Sequence, residues 1–398
     1  MSARPPLAIL EGVRVLSFTQ FLLGPSGVQF LADLGADVVK IEPPGGRLWE
    51  RHWSGANRFL NGVSVFFLLA HRNQRSLTLD LKKPAAQAVA RRLIGGADVL
   101  VQNFRPGVME RFGLGWEAAR ALNRRLVYVS ASGYGATSPF RERPGQDLLM
   151  QGLSGLASIS GRAGHPPTPV GTAVVDQHAA TLLALGVLAA LLERARTGEG
   201  LHVDVSMLRA ALDLQLEVAT YFLNGAGLEK SPTGLASTFH PAPYGTYATR
   251  DGWLVLSMVP LAPLADALEL PELRRHAAVA WNFDEREAVA ALIEPVLRAR
   301  TTAEWLARLE PRGIWTAPVH THAETFADPA VRAADATEEI EHPVAGRVTL
   351  LRFPVEFSTG RAGVRRLPPA AGEHTEEILR EAGYADAEIR ELRAGGAV

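Results

Sequence analysis

An alternation in the first 135 residues constrains this chain most. Short runs rich in β-branched and large apolar residues recur, each followed by a stretch with helical spacing. VRVLSFT (13–19) reads as a buried strand. Gly24-Pro25-Ser26 then opens the helical piece GVQFLADLGA, because proline suits a first helical turn. DVVKIE (37–42) is a second strand, closed by Pro43-Pro44-Gly45-Gly46. SLTLDL (76–81) is a third, with Pro84 starting the helix AAQAVARRLIGG. ADVLVQNF (97–104) is a fourth, and a helix through WEAARALN leads to a fifth, LVYVSASGYG (126–135). Alternation of this kind predicts an α/β fold with a parallel sheet covered by helices on both faces. Such sheets bind ligands beyond the carboxyl ends of their strands.

The pattern changes after residue 208. Residues 209–235 read as a helical, then loose linker, broken by Gly225, Gly227, Pro232 and Gly234. HPAPYGTYATRDGWLVLSMV (240–259) reads as paired strands around the Arg250-Asp251-Gly252 turn. This predicts a large domain over 1–208, a smaller α+β domain over 236–330, and a C-terminal segment over 331–398 made of a strand and then helices.

Composition narrows the function classes. The formal net charge is -1 over 398 residues, so no overall field draws the chain to nucleic acid or an anionic membrane. There are no cysteines, which excludes disulfides and thiol catalysis and fits a reducing compartment. The N-terminus has no continuous apolar signal core, and we expect a cytoplasmic protein. The longest apolar run, 179–192, is about 14 residues against the roughly 20 of a membrane span. A core helix is expected there.

Several motifs are missing. The turn SFTQFLLGPSG lacks the Gly-x-Gly-x-x-Gly of dinucleotide sites, and no phosphate-binding loop or Gly-x-Ser-x-Gly elbow occurs. The eleven histidines are scattered, so no metal site is expected. One carboxylate stands out: Asp176, in GTAVVDQHAA, opens the longest apolar segment. By position alone it is a helix cap or a reactive group.

The runs SFTQFLLGPSGVQFLADLGADVVKIEPPGG, HRNQRSLTLDLK, ADVLVQNFRPGVMERFGLGW and GTAVVDQHAATLLALGVLAALLERARTGEG together resemble the class III CoA-transferases, the CaiB/BaiF group. That group also contains α-methylacyl-CoA racemases. Later segments follow in order, through HPAPYGTYATRDGW to LPPAAGEHTEEILREAGY. The resemblance implies a Rossmann-like large domain, a small domain, a C-terminal segment returning to the large domain, and an interlocked homodimer. Coenzyme A is implied as a substrate, not a tightly bound cofactor. The partners are an acyl-CoA and a carboxylic acid, with no nucleic acid or membrane.

By the same resemblance Asp176 matches the nucleophile. CoA contacts fall on Leu22, Leu23, Leu79, Lys82, Asn103, Phe104, Arg105, Arg111, Gly145, Gln146 and Asp147. Basic side chains of this set suit the phosphates of CoA. Backbone N–H groups near Gly155, Gly161 and 240–245 are candidates for holding an oxyanion. The group's racemases place a histidine where this chain has Gln146, and an amide cannot serve as a base. The transferase reading therefore leads, with a racemase and a non-catalytic CoA binder as alternatives. Leu22-Leu23 replaces the polar residue of formyl-CoA transferases, which points to a larger or less polar acyl group.

Overall fold

The computed structural model describes residues 5–398, which divide into two compact units. The first comprises residues 5–150, 173–211 and 334–398, and the second 151–172 and 212–333. The sheet of the first unit has six strands: β1 (Arg14–Phe18), β2 (Asp37–Glu42), β3 (Gln74–Thr78), β4 (Val99–Gln102), β5 (Val127–Ser132) and β6 (His202–Ser206). All neighbouring pairs are parallel, in the order β3-β2-β1-β4-β5-β6. Val15, Leu16, Val38, Val39, Val99, Leu100, Val127 and Val129 give the strands their buried apolar positions, while Lys40, Glu42, Arg75 and Ser76 are buried polar residues within them.

The alternation read from the sequence accounts for the first five strands within a few residues. β6 escaped that reading. Its segment HVDVS alternates polar and apolar residues and begins on an exposed His202, so it lacks the apolar run of the other strands.

One face carries α1 (Leu23–Asp33) and the 24-residue helix α6 (Val174–Thr197). Gly27 lets these helices approach closely, since a Cβ there would lie 3.0 Å from the Ala180 carbonyl and from Leu183. The other face carries α3 (Pro84–Gly95), α4 (Trp116–Leu122) and two C-terminal helices. Ala86, Val89, Ile94, Leu100, Ile378, Leu379 and Ile389 form one core there. Between β2 and β3 a single-turn helix, α2 (Trp49–His52), sits at the carboxyl end of the sheet's first half, and α5 (Asp147–Leu153) follows β5.

By length and composition alone α6 is apolar enough to cross a membrane. Ala179, Ala180, Leu183, Ala184 and Val187 are buried in the first unit, while Leu185 and Leu192 are exposed. The helix ends where Gly198 takes a left-handed conformation.

The second unit is built on an antiparallel sheet of β7 (Gly245–Ala248), β8 (Trp253–Leu256) and β9 (Thr316–Pro318), with β8 central. The helices α7 (Leu261–Leu268), α8 (Arg286–Leu297) and α9 (Thr302–Leu309) pack with it. Thr301 and Glu304 cap α9 reciprocally, and the buried Trp305 donates its indole N–H to Leu297 at 2.8 Å. In the first unit, residues 337–351 form a hairpin, and helices α10 (Thr375–Glu381) and α11 (Asp386–Ala394) close the chain.

Candidate active site

The strand order reverses between β1 and β4. In a doubly wound sheet that reversal splays the two following loops apart and leaves a crevice. A cavity of about 510 Å³ opens there. The loop after β1 supplies Gln20, Phe21, Leu22 and Leu23, and the loop after β4 supplies Asn103, Phe104, Arg105 and Pro106. The segment after β5 adds Gly133, Arg141, Arg143, Gly145, Gln146 and Asp147, and the first turn of α6 adds Asp176.

Asn103 joins the first two loops: its carbonyl oxygen accepts from the Gln20 N–H at 2.9 Å, and its amide donates to the Gln20 carbonyl at 2.8 Å. Gly145 crosses Gly133 so closely that a Cβ on Gly133 would sit 2.6 Å from the Gly145 Cα. Only glycine fits at that crossing. It brings the following pair, Gln146 and Asp147, to the mouth of α6.

Of the two roles that its position leaves open to Asp176, capping falls to another residue. Asp176 does not cap its helix: the residue before α6 is Ala173, and no side chain of its own end serves as a cap. Asp147 does that work from another helix. Its carboxylate accepts the Val175 N–H at 2.7 Å and the Asp176 N–H at 3.0 Å, so two of the first-turn donors are met. The Asp176 carboxyl is thereby left to face the cavity.

Burial, and second the neighbouring Asp147 carboxylate, push the Asp176 pKa up to about 7. The partial positive charge of the helix amino end does not outweigh these. At neutral pH the acid and the carboxylate coexist.

Of the residues expected at the site, Leu22, Leu23, Asn103, Phe104, Arg105, Gly145, Gln146, Asp147 and Asp176 share this cavity. Leu79, Lys82 and Arg111 stand outside its wall. Leu79 is buried in the core beneath α3, and Lys82 and Arg111 are exposed. Gly155, Gly161 and residues 240–245 belong to the second unit.

Sequence reasoning passed over an aromatic wall. Phe21, Trp49, Trp53 and Phe66 line the cavity, with ring centroids 4.7 Å apart from Phe21 to Trp49 and from Trp49 to Trp53, and 4.9 Å from Trp53 to Phe66. The signal was LWERHW, two tryptophans four apart in a polar stretch. Arg141 and Arg143 were also missed. Arg143 lies 3.9 Å over the Phe140 ring, and Arg141 meets Glu142 at 3.8 Å in solvent. Among the described residues neither Arg105 nor Arg143 has a carboxylate partner, so both guanidinium groups are available to an anion.

The chain matches the model of CoA-transferase family III over residues 10–375. It belongs to that family. It is 34% identical to the succinyl-CoA–D-citramalate CoA-transferase of Chloroflexus aurantiacus, over 96% of each chain. It is 32% identical to the succinyl-CoA:glutarate CoA-transferase of Mus musculus, over 98% of this chain and 90% of that one. The crystal structure of a CaiB/BaiF family protein from Brucella suis superposes with a TM-score of 0.80 at 30% identity. That match covers 95% of this chain and all of the other. This family III CoA-transferase therefore works on acyl-CoA thioesters and acids, and the doubly wound first unit is the family's architecture.

Proposed function

We propose that this CoA-transferase exchanges CoA through covalent intermediates on Asp176. The observation that carries this is the division of labour at the head of α6. Asp147 caps the helix, which leaves the Asp176 carboxyl without a structural task and inside the cavity.

In the first step the Asp176 carboxylate attacks the thioester carbonyl. The C–S bond breaks, CoA leaves as thiolate, and a mixed anhydride remains on Asp176. The thiolate then attacks the aspartyl carbonyl, expelling the first acid as carboxylate and leaving an aspartyl-CoA thioester. The acceptor carboxylate attacks that thioester and releases the thiolate, forming a second anhydride. Thiolate attack on its acyl carbonyl gives the new acyl-CoA and regenerates Asp176. Each step trades one anion for another, so no proton has to be shuttled once Asp176 is ionised. Gln146 has no titratable proton to offer, which disfavours racemisation.

Arg105, Arg141 and Arg143 supply fixed cations for the CoA phosphates. Leu22, Leu23 and the aromatic wall favour a less polar acyl chain. The exposed apolar residues of α6, Leu185 and Leu192, and those of the helix Leu216–Leu223, namely Leu216, Phe222 and Leu223, suit burial against a second copy of the chain. The cytoplasm supplies both acyl-CoA and free acids.

Incubation with an acyl-CoA, trapping with hydroxylamine or borohydride and peptide mass spectrometry tests the intermediate. Modification at Asp176 is expected, and its absence during active exchange removes the mechanism. A panel of acids from succinate to longer monocarboxylates tests the acyl preference, with the longer acids turned over faster. Light scattering is expected to give twice the mass of one chain.

A further inference from the structure

Behind the aromatic wall lies a buried charge pair that the exchange reaction does not use. Lys40, on β2, is wholly buried, and its ammonium donates to the Thr19 carbonyl at 3.0 Å. The same ammonium stands 3.7 Å from a carboxylate oxygen of Glu50, which is also wholly buried. Thr19 begins the loop whose next residues, Gln20 to Leu23, line the cavity. Glu50 sits on α2 beside Trp49, one turn of chain from Trp53. One nitrogen thus joins the two elements that carry the wall.

The loop it holds is strained. Phe21 has φ +64, a left-handed conformation that a bulky residue keeps only when its surroundings impose it. The ring of Phe21 meets the ring of Trp49, so any shift between loop and α2 is a shift within the wall.

The pair is poorly made as a stabilising contact. Among the described residues neither Glu50 oxygen meets a donor in full hydrogen-bond geometry, though the Phe21 and Glu50 N–H groups lean on the carboxylate; the Nε2 of the buried His71 is unmet, although its Nδ1 faces the Phe67 carbonyl at 2.8 Å. Burial lowers the Lys40 pKa and raises that of Glu50, each pulled back in part by the other. Pairs of such geometry are often no more stable than apolar side chains of the same volume. What this one does supply is a fixed distance between Thr19 and α2.

We propose that Lys40 and Glu50 are positioning residues: they set the spacing between the loop after β1 and α2, and so how an acyl chain seats on the wall of Phe21, Trp49, Trp53 and Phe66. This rests on the cavity being the acyl-CoA site.

The test uses the full-length protein with Lys40→Met/Glu50→Met, which exchanges both charges for apolar groups of similar length. A melting temperature near that of wild type is expected. The KM for acyl-CoA is expected to rise about tenfold with kcat held within about threefold, and discrimination between short and long acyl chains to narrow. A folded double variant with unchanged KM and unchanged discrimination overturns the proposal.

Should that variant fail to fold, Glu50→Gln decides. It keeps the shape and an acceptor for Lys40. A KM raised about threefold is expected, with a changed near-ultraviolet circular dichroism from the Trp49–Trp53 stack. Wild-type values for both overturn the proposal. A control, Asp33→Asn/Arg72→Met, loosens another buried pair and is expected to leave KM unchanged. An equal rise there would mark general loosening and also overturn it. Wild-type protein that neither binds nor exchanges acyl-CoA removes the cavity assignment itself, a result distinct from any of these.

Discussion

The two ends of the six-stranded sheet treat buried charge in opposite ways. At the amino ends every such charge is saturated. Arg72 makes a forked contact to Asp33, with Nη2 at 2.6 Å, and Asn73 donates to the same carboxylate at 2.7 Å. Arg75 grips Asp37 through two nitrogens, at 2.6 and 3.0 Å, and reaches Glu377 and Glu381 at 2.8 Å. At the carboxyl ends Glu42 is similarly held by Arg51. The groups nearest the cavity are different: Lys40 and Glu50 stand 3.7 Å apart with neither Glu50 oxygen in full hydrogen-bond geometry, and Asp176 shares its surroundings with Asp147. Where the fold needs only stability, charges are paired to capacity. Beside the cavity a carboxyl is left with fewer partners, although burial raises the pKa of the well-paired Asp33 as it does that of Asp176.

The comparison breaks first at Asp176. Asp176→Ala is expected to lower acyl exchange by at least about a thousandfold, since covalent catalysis has no substitute nucleophile in the wall. Acyl-CoA binding, measured by calorimetry, should stay within a few-fold of wild type. Steady-state rates that survive the change would place the reaction elsewhere. The reverse is expected at the other end. Arg72→Met takes the forked cation from the buried Asp33 carboxylate and leaves it the neutral Asn73 amide, and should cost roughly 3–5 kcal/mol in denaturant unfolding. Its kcat and KM should remain those of wild type when assayed well below the melting temperature.

The sheet was legible in the sequence for the same reason the amino-end pairs are dull. Val15, Val38, Val99 and Val127 are buried, and the β-branched and apolar residues beside them announce strands without tertiary knowledge. Asp176 was legible because a lone carboxylate at the head of an apolar helix is conspicuous. Its separation from the cap was not, because the capping carboxylate, Asp147, comes from a segment 29 residues earlier in the chain. The aromatic wall was hidden for a similar reason. Phe21, Trp49 and Phe66 lie far apart in sequence, and each alone reads as ordinary packing. Only the crossover from β2 to β3 brings them to one side of the crevice.

Acidity sharpens the contrast further. With its folded pKa at about 7 against 3.8, Asp176 favours the neutral form in the native state. Stability from this group is present below the unfolded pKa and is lost as pH rises through the folded one. The whole span amounts to up to roughly 4 kcal/mol. Asp176→Asn removes that loss. Its gain in melting temperature over wild type should therefore grow from pH 4 to pH 8 and then level off. Activity runs the other way, because only the carboxylate attacks: log kcat/KM should fall with unit slope below about pH 7. A melting difference that does not change with pH would mean that the carboxyl is solvated like an ordinary surface aspartate.

The smallest effect is expected at Asp147, and it has two parts with opposite consequences. Its carboxylate holds the N–H groups of Val175 and Asp176, so Asp147→Ala should cost about 0.5–2 kcal/mol of stability, as the loss of a helix cap does. The same substitution removes the negative charge that helps to raise the Asp176 pKa, so the acid limb of the rate profile should move to lower pH. Asp147→Asn separates the two, because its side-chain carbonyl can still accept from the first turn while the charge is gone. Stability close to wild type with a shifted acid limb is then the expected pair of results. A limb that stays at pH 7 in both variants would assign the raised pKa to burial alone, and would leave Asp147 as a cap with no influence on the reacting group.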